Sequence, residues 1–168
     1  MQTRSDRSIR TPRSFRLALA GIATALACGA AAAQDSRKAA EDTLRDIQAT
    51  LGVVPGFFRA FPEAGLPGAW AEFKQVQVAE NTKLNPKVKQ LIGLAVSAQV
   101  PCTYCVYFHT EVAKAYGATQ DEIKEAVALA AISRHWSTVL NGMQIDMATF
   151  KREIDTSMRM AADKSAAK

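Results

Sequence analysis

The chain has 168 residues, 22% of them charged and 48% apolar, with a formal net charge of +5. That mixture excludes a disordered chain, and the length fits one domain. The positive balance does not indicate nucleic acid, because five arginines (Arg4, Arg7, Arg10, Arg13 and Arg16) stand in the first 16 residues against Asp6 alone. Residues 34–168 hold 16 basic and 15 acidic side chains, a balance of about +1.

The basic start is followed by LALAGIATALACGAAAA, an unbroken apolar run from Leu17 to Ala33, and then by polar QDSRK. A basic region, an apolar core and a small-residue end describe a secretory signal peptide over residues 1–33, with cleavage expected after Ala33. The protein is then periplasmic or secreted. The run is short and Ala-rich for a permanent membrane anchor. Lipid attachment at Cys28 is a lesser alternative, since Ala25-Leu26-Ala27 precedes it poorly, and no Arg-Arg pair marks a folded-protein export route.

Apolar residues then recur at helical spacing, and no period-2 strand stands out. Asp35 or Ser36 can cap a first helix running to about Thr50 and closed by Gly52. Val53 to Gly68, with three prolines and three glycines before the next helix, reads as a loop that tucks Phe57, Phe58 and Phe61 against the core. A second helix is expected from about Ala69 to Glu80, carrying Trp70 and Phe73. Trp70, Phe57, Phe58 and Trp136 could serve a subunit interface or a core equally well.

The third helix has Asn85 as cap, Pro86 at its first position and an apolar stripe of Val88, Leu91, Ile92 and Ala95, ending at Pro101. A fourth runs from Cys102 to about Tyr116 and is closed by Gly117. Thr119-Gln120-Asp121-Glu122 forms a capping box for a fifth, which turns Ile123, Val127, Ala130 and Ala131 inward and ends near Asn141-Gly142. A last helix runs to about Met158, followed by a frayed tail over 158–168. The expected fold is all-α, a single-domain bundle of about six helices over residues 34–157.

The chemistry concentrates in VPCTYCVYFHT, where Cys102, Cys105 and His109 are spaced C-x-x-C-x-x-x-H. On a helix, Cys105 lies about 300° and His109 about 340° from Cys102, so the three share one face. Both cysteines fall in the first turn, where unpaired N–H groups favour a thiolate, and an imidazole one turn on can move its proton. Competing readings are a structural disulfide, which closes too short a loop to stabilise much, and zinc, which lacks a fourth ligand beyond His135. Haem attachment fails, because Val106 rather than histidine follows Cys105. No metal or organic cofactor is expected.

The stretch LIGLAVSAQVPCTYCVYFHTEVAKAYGATQDEIKEAVALAA, with LGVVPGFFRAFPE upstream, resembles the carboxymuconolactone decarboxylase / alkylhydroperoxidase D superfamily over about Leu51 to Gly142. The resemblance implies an all-helical fold assembling into trimers or hexamers and, in the C-x-x-C branch, an antioxidant, peroxiredoxin-like reduction of hydroperoxides. It implies a peroxidatic Cys105, a resolving Cys102 and a proton relay through His109. The family's relay glutamate, twelve residues before the first cysteine, is Gln90 here. An amide can orient an imidazole or a water but takes no proton at neutral pH. Gln90 and Tyr104 are thus the candidate relay residues beyond the triad.

The partners so implied are a hydroperoxide, a thiol reductant or redox partner protein, and further copies of the chain. Neither nucleic acid nor stable membrane insertion after cleavage is expected. The alternatives are a carboxymuconolactone-type decarboxylase, a dithiol–disulfide exchange protein, and a non-enzymatic helical oligomer with a structural disulfide.

Overall fold

The computed structural model describes residues 13–166, with side chains from residue 32 onward. Seven α-helices and a π-helical segment make up its regular structure: α1 (Arg13–Leu51), α2 (Gly56–Arg59), α3 (Leu66–Glu72), the π-segment (Phe73–Val78), α4 (Pro86–Gln99), α5 (Thr103–Ala115), α6 (Gln120–Gly142) and α7 (Met147–Ala166). The architecture is all-α, and no strand occurs among the described residues. The basic region before Ser14 falls largely outside them: Arg4, Arg7 and Arg10 are not described. The apolar run lies within α1, which starts at Arg13 rather than at Asp35 or Ser36, since Ala-rich sequence free of proline carries the helix through. No described helix is long and apolar enough to cross a membrane.

By internal contacts the chain forms two compact units meeting at Val78 and Ala79. In the first, Ala40 and Ile47 of α1 are buried with Phe58, Leu66 and Trp70, flanked by Leu44, Val54 and Phe73. Positions 40, 44 and 47 form one helical face, which makes this a helix-on-loop core. Trp70 meets Phe58 edge-on at 5.4 Å and stacks on Phe73 at 5.9 Å. Its indole N–H donates to Asp46 Oδ2 at 2.6 Å, and Lys74 Nζ donates to the same carboxylate at 2.8 and 2.9 Å. The expected loop thus contains α2 and the start of α3, while the expected helix over 69–80 divides at Phe73 into α-helix and π-segment. Of the four aromatics, Phe58 and Trp70 enter this core; Phe57 and Trp136 stay exposed.

In the second unit α4 packs against both α5 and α6. Asn85 caps α4 through Val88 N at 2.9 Å, and the Thr119–Glu122 capping box opens α6, both as expected. Lys87 Nζ reaches Glu122 at 2.7 Å near the two N-termini, and Gln99 Nε2 donates to the Ala130 carbonyl at 2.6 Å further along.

The buried stripe of α4 differs from the expected one: Gln90, Leu94 and Ser97 are buried, Val88, Leu91 and Ala95 are half-buried, and Ile92 is exposed. Two polar residues occupy the deepest face because each has a hydrogen-bonding partner there. On α6, Ile123 and Ala130 are buried as expected, while Val127 and Ala131 are exposed, because contact with α4 covers only a narrow stripe. Asp146 caps α7 through Thr149 N at 2.9 Å and its hydroxyl at 2.7 Å. That helix continues past Met158 to Ala166, through residues with good helical propensity. Residues 167 and 168 of the expected frayed tail lie outside the described residues.

Candidate active site

The site is built at the junction of α4 and α5. Cys102 is the N-cap of α5: its backbone is extended, and its carbonyl accepts the first bond of the turn from Val106 N at 2.9 Å. Its Sγ accepts the backbone N–H of Cys105 at 3.3 Å, satisfying a donor that the helix leaves open. The Cys102 N–H in turn donates to the Ser97 carbonyl at 3.1 Å, fixing the cap to the end of α4. Cys102 and Cys105 are joined as a disulfide, with Cα atoms 5.3 Å apart.

One turn beyond Cys105, His109 leans against α4. Its Nδ1 lies 2.9 Å from Oε1 of Gln90. A carboxamide oxygen only accepts, so this contact fits the tautomer with the proton on Nδ1 and the lone pair on Nε2. Gln90 is 2% exposed, which anchors that end of the pair. Burial holds the His109 pKa below its usual value, favouring the neutral ring. Phe108 adds an edge contact to the imidazole at 5.1 Å.

The ring fits because α4 has a glycine there. A Cβ at Gly93 would overlap the imidazole, with Nε2 at 2.7 Å. Ser97 Oγ donates to the Gly93 carbonyl at 2.6 Å, so the buried serine is satisfied within its own helix. Sequence reasoning passes over Gly93 and Ser97. Their signals are a glycine inside a helical pattern, and a small polar residue seven positions after Gln90 on the same face.

The other candidates lie apart. Tyr104 is 88% exposed and forms no hydrogen bond among the described residues, so it stands outside the bonded network around the sulfurs. His135 is exposed and makes an edge contact with Trp136 at 5.2 Å. No group of three or more His, Cys, Asp or Glu side chains suited to a metal ion occurs among the described residues. Of the acids nearest in sequence, Glu111 pairs with Lys114 at 2.7 Å and Glu80 accepts from the Tyr116 hydroxyl at 3.1 Å. The hydrogen bond of His109 therefore goes to an amide, not a carboxylate.

Beside the disulfide runs an open groove of about 440 Å³, walled by Ala98, Pro101, Thr103, Val106 and Tyr107 and containing Cys102 but not Cys105.

The family model of the carboxymuconolactone decarboxylase family matches residues 64–146. An uncharacterized protein of Cupriavidus necator is 33% identical over 86 residues, which span 50% of this chain and 75% of that one. An uncharacterized protein encoded in the cox locus of Paracoccus denitrificans is 34% identical over 71 residues, 42% of this chain and 63% of that relative's length. Among solved structures, the alkylhydroperoxidase AhpD core from Rhodospirillum rubrum superposes with a TM-score of 0.58 at 31% identity, covering 69% of this chain and 88% of its own.

Proposed function

We propose that this chain, which belongs to the carboxymuconolactone decarboxylase family, is a thiol-dependent peroxidase that reduces hydroperoxides through a Cys102/Cys105 dithiol–disulfide cycle. The observation that carries this reading is the bonded cysteine pair at the N-terminus of α5, with an imidazole held by Gln90 one turn on from Cys105. The likeness to a solved alkylhydroperoxidase core supports it.

In the reduced protein the Cys105 thiolate attacks one oxygen of the hydroperoxide and the O–O bond breaks. The departing alkoxide takes a proton delivered through His109, and Cys105 becomes a sulfenic acid. The Cys102 thiolate then attacks that sulfur, the S–O bond breaks, hydroxide leaves as water once protonated, and the disulfide forms. Two electrons pass from the dithiol to the peroxide. With Gln90 beside it, the imidazole stores the proton itself, since the amide orients the ring without accepting one.

The same Gln90 favours a second reading, dithiol–disulfide exchange, which needs no carboxylate relay. A lactone decarboxylase makes no use of the dithiol. Thiol counting decides among these readings: residues 34–168, reduced and freed of reductant, should lose two thiols per chain on one equivalent of hydroperoxide and form the intramolecular disulfide. Thiols inert to peroxide but reactive toward a protein disulfide would establish exchange instead.

The reading extends to location and assembly. The leader-like first 33 residues support export, tested by the N-terminal residue of the protein recovered from the periplasm; Gln34 is expected. Exposed apolar stripes on α4 and its C-cap (Ile92, Val96, Val100) and on α6 (Leu129, Ile132, Trp136) support a homo-oligomer.

A further inference from the structure

From Lys151 onward α7 has no place in its own chain, and we infer that it is an arm. It lies in the groove between α4 and α6 of a second copy, with Lys151 against Glu125 of that copy. The inference rests on the homo-oligomer proposed above and names the surfaces that join.

The helix needs a cover. Its first turn is held by the Asp146 cap and by Phe150, which is half-buried. From Lys151 to Ala166 every side chain is exposed. Those 16 residues stand barely above the length of about 12–15 below which an isolated helix is marginal in water. Asp155, Thr156, Ser157 and Asp163 lower their propensity further. Yet the segment is patterned: Ile154, Met158 and Ala161 form one stripe at helical spacing, Ile154 exposed by 47% and Met158 by 68%. Because α7 follows residues 64–146, the stretch shared with the family, that likeness assigns it no role.

The groove supplies the match. Val88, Leu91, Ile92 and Ala95 of α4 and Leu129 of α6 line an open channel of about 360 Å³, together with Glu122 and Glu125. Val88 to Ala95 spans about 10 Å of helix, as does Ile154 to Ala161, so floor and stripe agree in length. Charge agrees as well. Glu122 is paired with Lys87, but Glu125 forms no ion pair among the described residues. Lys151, one turn before Ile154 on the edge of the stripe, forms none there either. A lipid surface is a poorer occupant, since Glu153, Asp155 and Asp163 stand among the four basic residues of α7.

Docking there bears on the site. Gln90 and Gly93 of α4 meet the His109 ring, whereas Val88, Ile92 and Ala95 lie on the opposite face of that helix. The arm therefore braces α4 from behind the Gln90 contact.

Charge exchange between chains tests the inference. Sedimentation velocity over a concentration series is run on the protein, on Glu125→Lys, on Lys151→Glu and on an equimolar mixture of the two variants. Circular dichroism checks that each variant keeps its helices. Either variant alone sets like charges together in every such contact, and its self-association should weaken at least about fivefold. In the mixture each α7 finds a groove of opposite charge on the other variant, and most of the loss should be recovered. A single variant that associates as the parent does overturns the inference, and so does a mixture that stays weak. Both results leave the oligomer standing. A parent that is monomeric at every concentration removes the oligomer, and the arm with it. Should that monomer sediment with vesicles of phosphatidylglycerol and phosphatidylcholine, the cover of α7 is lipid and the inference is overturned.

Discussion

His109 Nδ1 and Gln90 Oε1 lie 2.9 Å apart, joining an exposed-edge helix to the buried face of its neighbour through a side chain that cannot ionise. The pair orients the imidazole as a carboxylate would, but adds no second proton acceptor. Gln90→Leu should cost roughly 10²-fold in peroxide consumption, at the lower end of what general acid–base assistance contributes. Gln90→Glu should raise it roughly fivefold, because a carboxylate there both orients the ring and stabilises the imidazolium. Initial rates of peroxide loss, with imidazole nitrogen shifts reporting the tautomer, check both. A Gln90→Leu variant with the parent rate would remove the Gln90 contact from the relay.

The pH profile follows from the same ring. Burial lowers the His109 pKa below 6.5, so the native state binds its proton less readily than the unfolded chain does. Between the lowered value and 6.5 the unfolded state holds more protons, and stability therefore rises with pH through that window. Below the window the full penalty applies; above 6.5 it is gone. The acid limb of the rate profile should likewise fall below 6.5, since the neutral ring persists there. Denaturant midpoints of the protein and of His109→Asn, measured from pH 4.5 to 7.5, check this. The variant should lose part of the slope, and equal slopes would refute the assignment.

Gly93 separates stability from activity. Gly93→Ala improves helical propensity by up to about 1 kcal/mol, yet its methyl group would occupy the space of the His109 ring. The imidazole is the part free to yield, so the expected result is a melting temperature equal to or above the parent's. Peroxide consumption should fall by roughly 10²-fold, the scale of an ångström of misplacement. Thermal melts and initial rates on one preparation test this. Loss of both stability and activity would mean that α4 shifts instead of the ring.

Much of this site is legible in the sequence. C-x-x-C-x-x-x-H, with Pro101 ahead of it and Gly117 behind, is enough to place Cys105 on the first turn and His109 one turn on, while Cys102, expected on that turn too, is instead the extended N-cap before it. The partner of His109 is legible only as a residue twelve positions before Cys102, because a helix-to-helix contact leaves no local spacing. The α4 stripe is misread for a related reason. Hydrophobicity alone ranks Ile92 above Gln90 and Ser97, but the deep face is decided by where hydrogen-bonding partners lie. The start of α1 and the full length of α7 are also hidden, since Ala- and Lys-rich sequence carries few stop signals.

Leu94 is the centre of the second unit's core, and Leu94→Ala should destabilise it by about 2–5 kcal/mol, the usual range for a buried leucine. Ile92, two residues away and exposed, gives a contrast. In an isolated chain Ile92→Ala should change stability by no more than about 0.5 kcal/mol. Denaturant titrations that rank the two substitutions the other way would mean that α4 buries its other face.

Assembly is tested on α6, where Leu129, Ile132 and Trp136, with Met143 at the C-cap, recur at helical spacing and remain exposed, Trp136 by 54%. A stripe of that length is unfavourable in water unless something covers it. Continuity with the exposed stripe on α4 fits a second copy of this chain. Trp136→Glu should weaken self-association by about 30-fold, equivalent to roughly 2 kcal/mol for a central aromatic anchor. Sedimentation velocity over a concentration series measures this, with circular dichroism checking that the helices persist. A variant that sediments as the parent does would place the subunit contact elsewhere, and a parent that is monomeric at every concentration would remove the oligomer from the proposal.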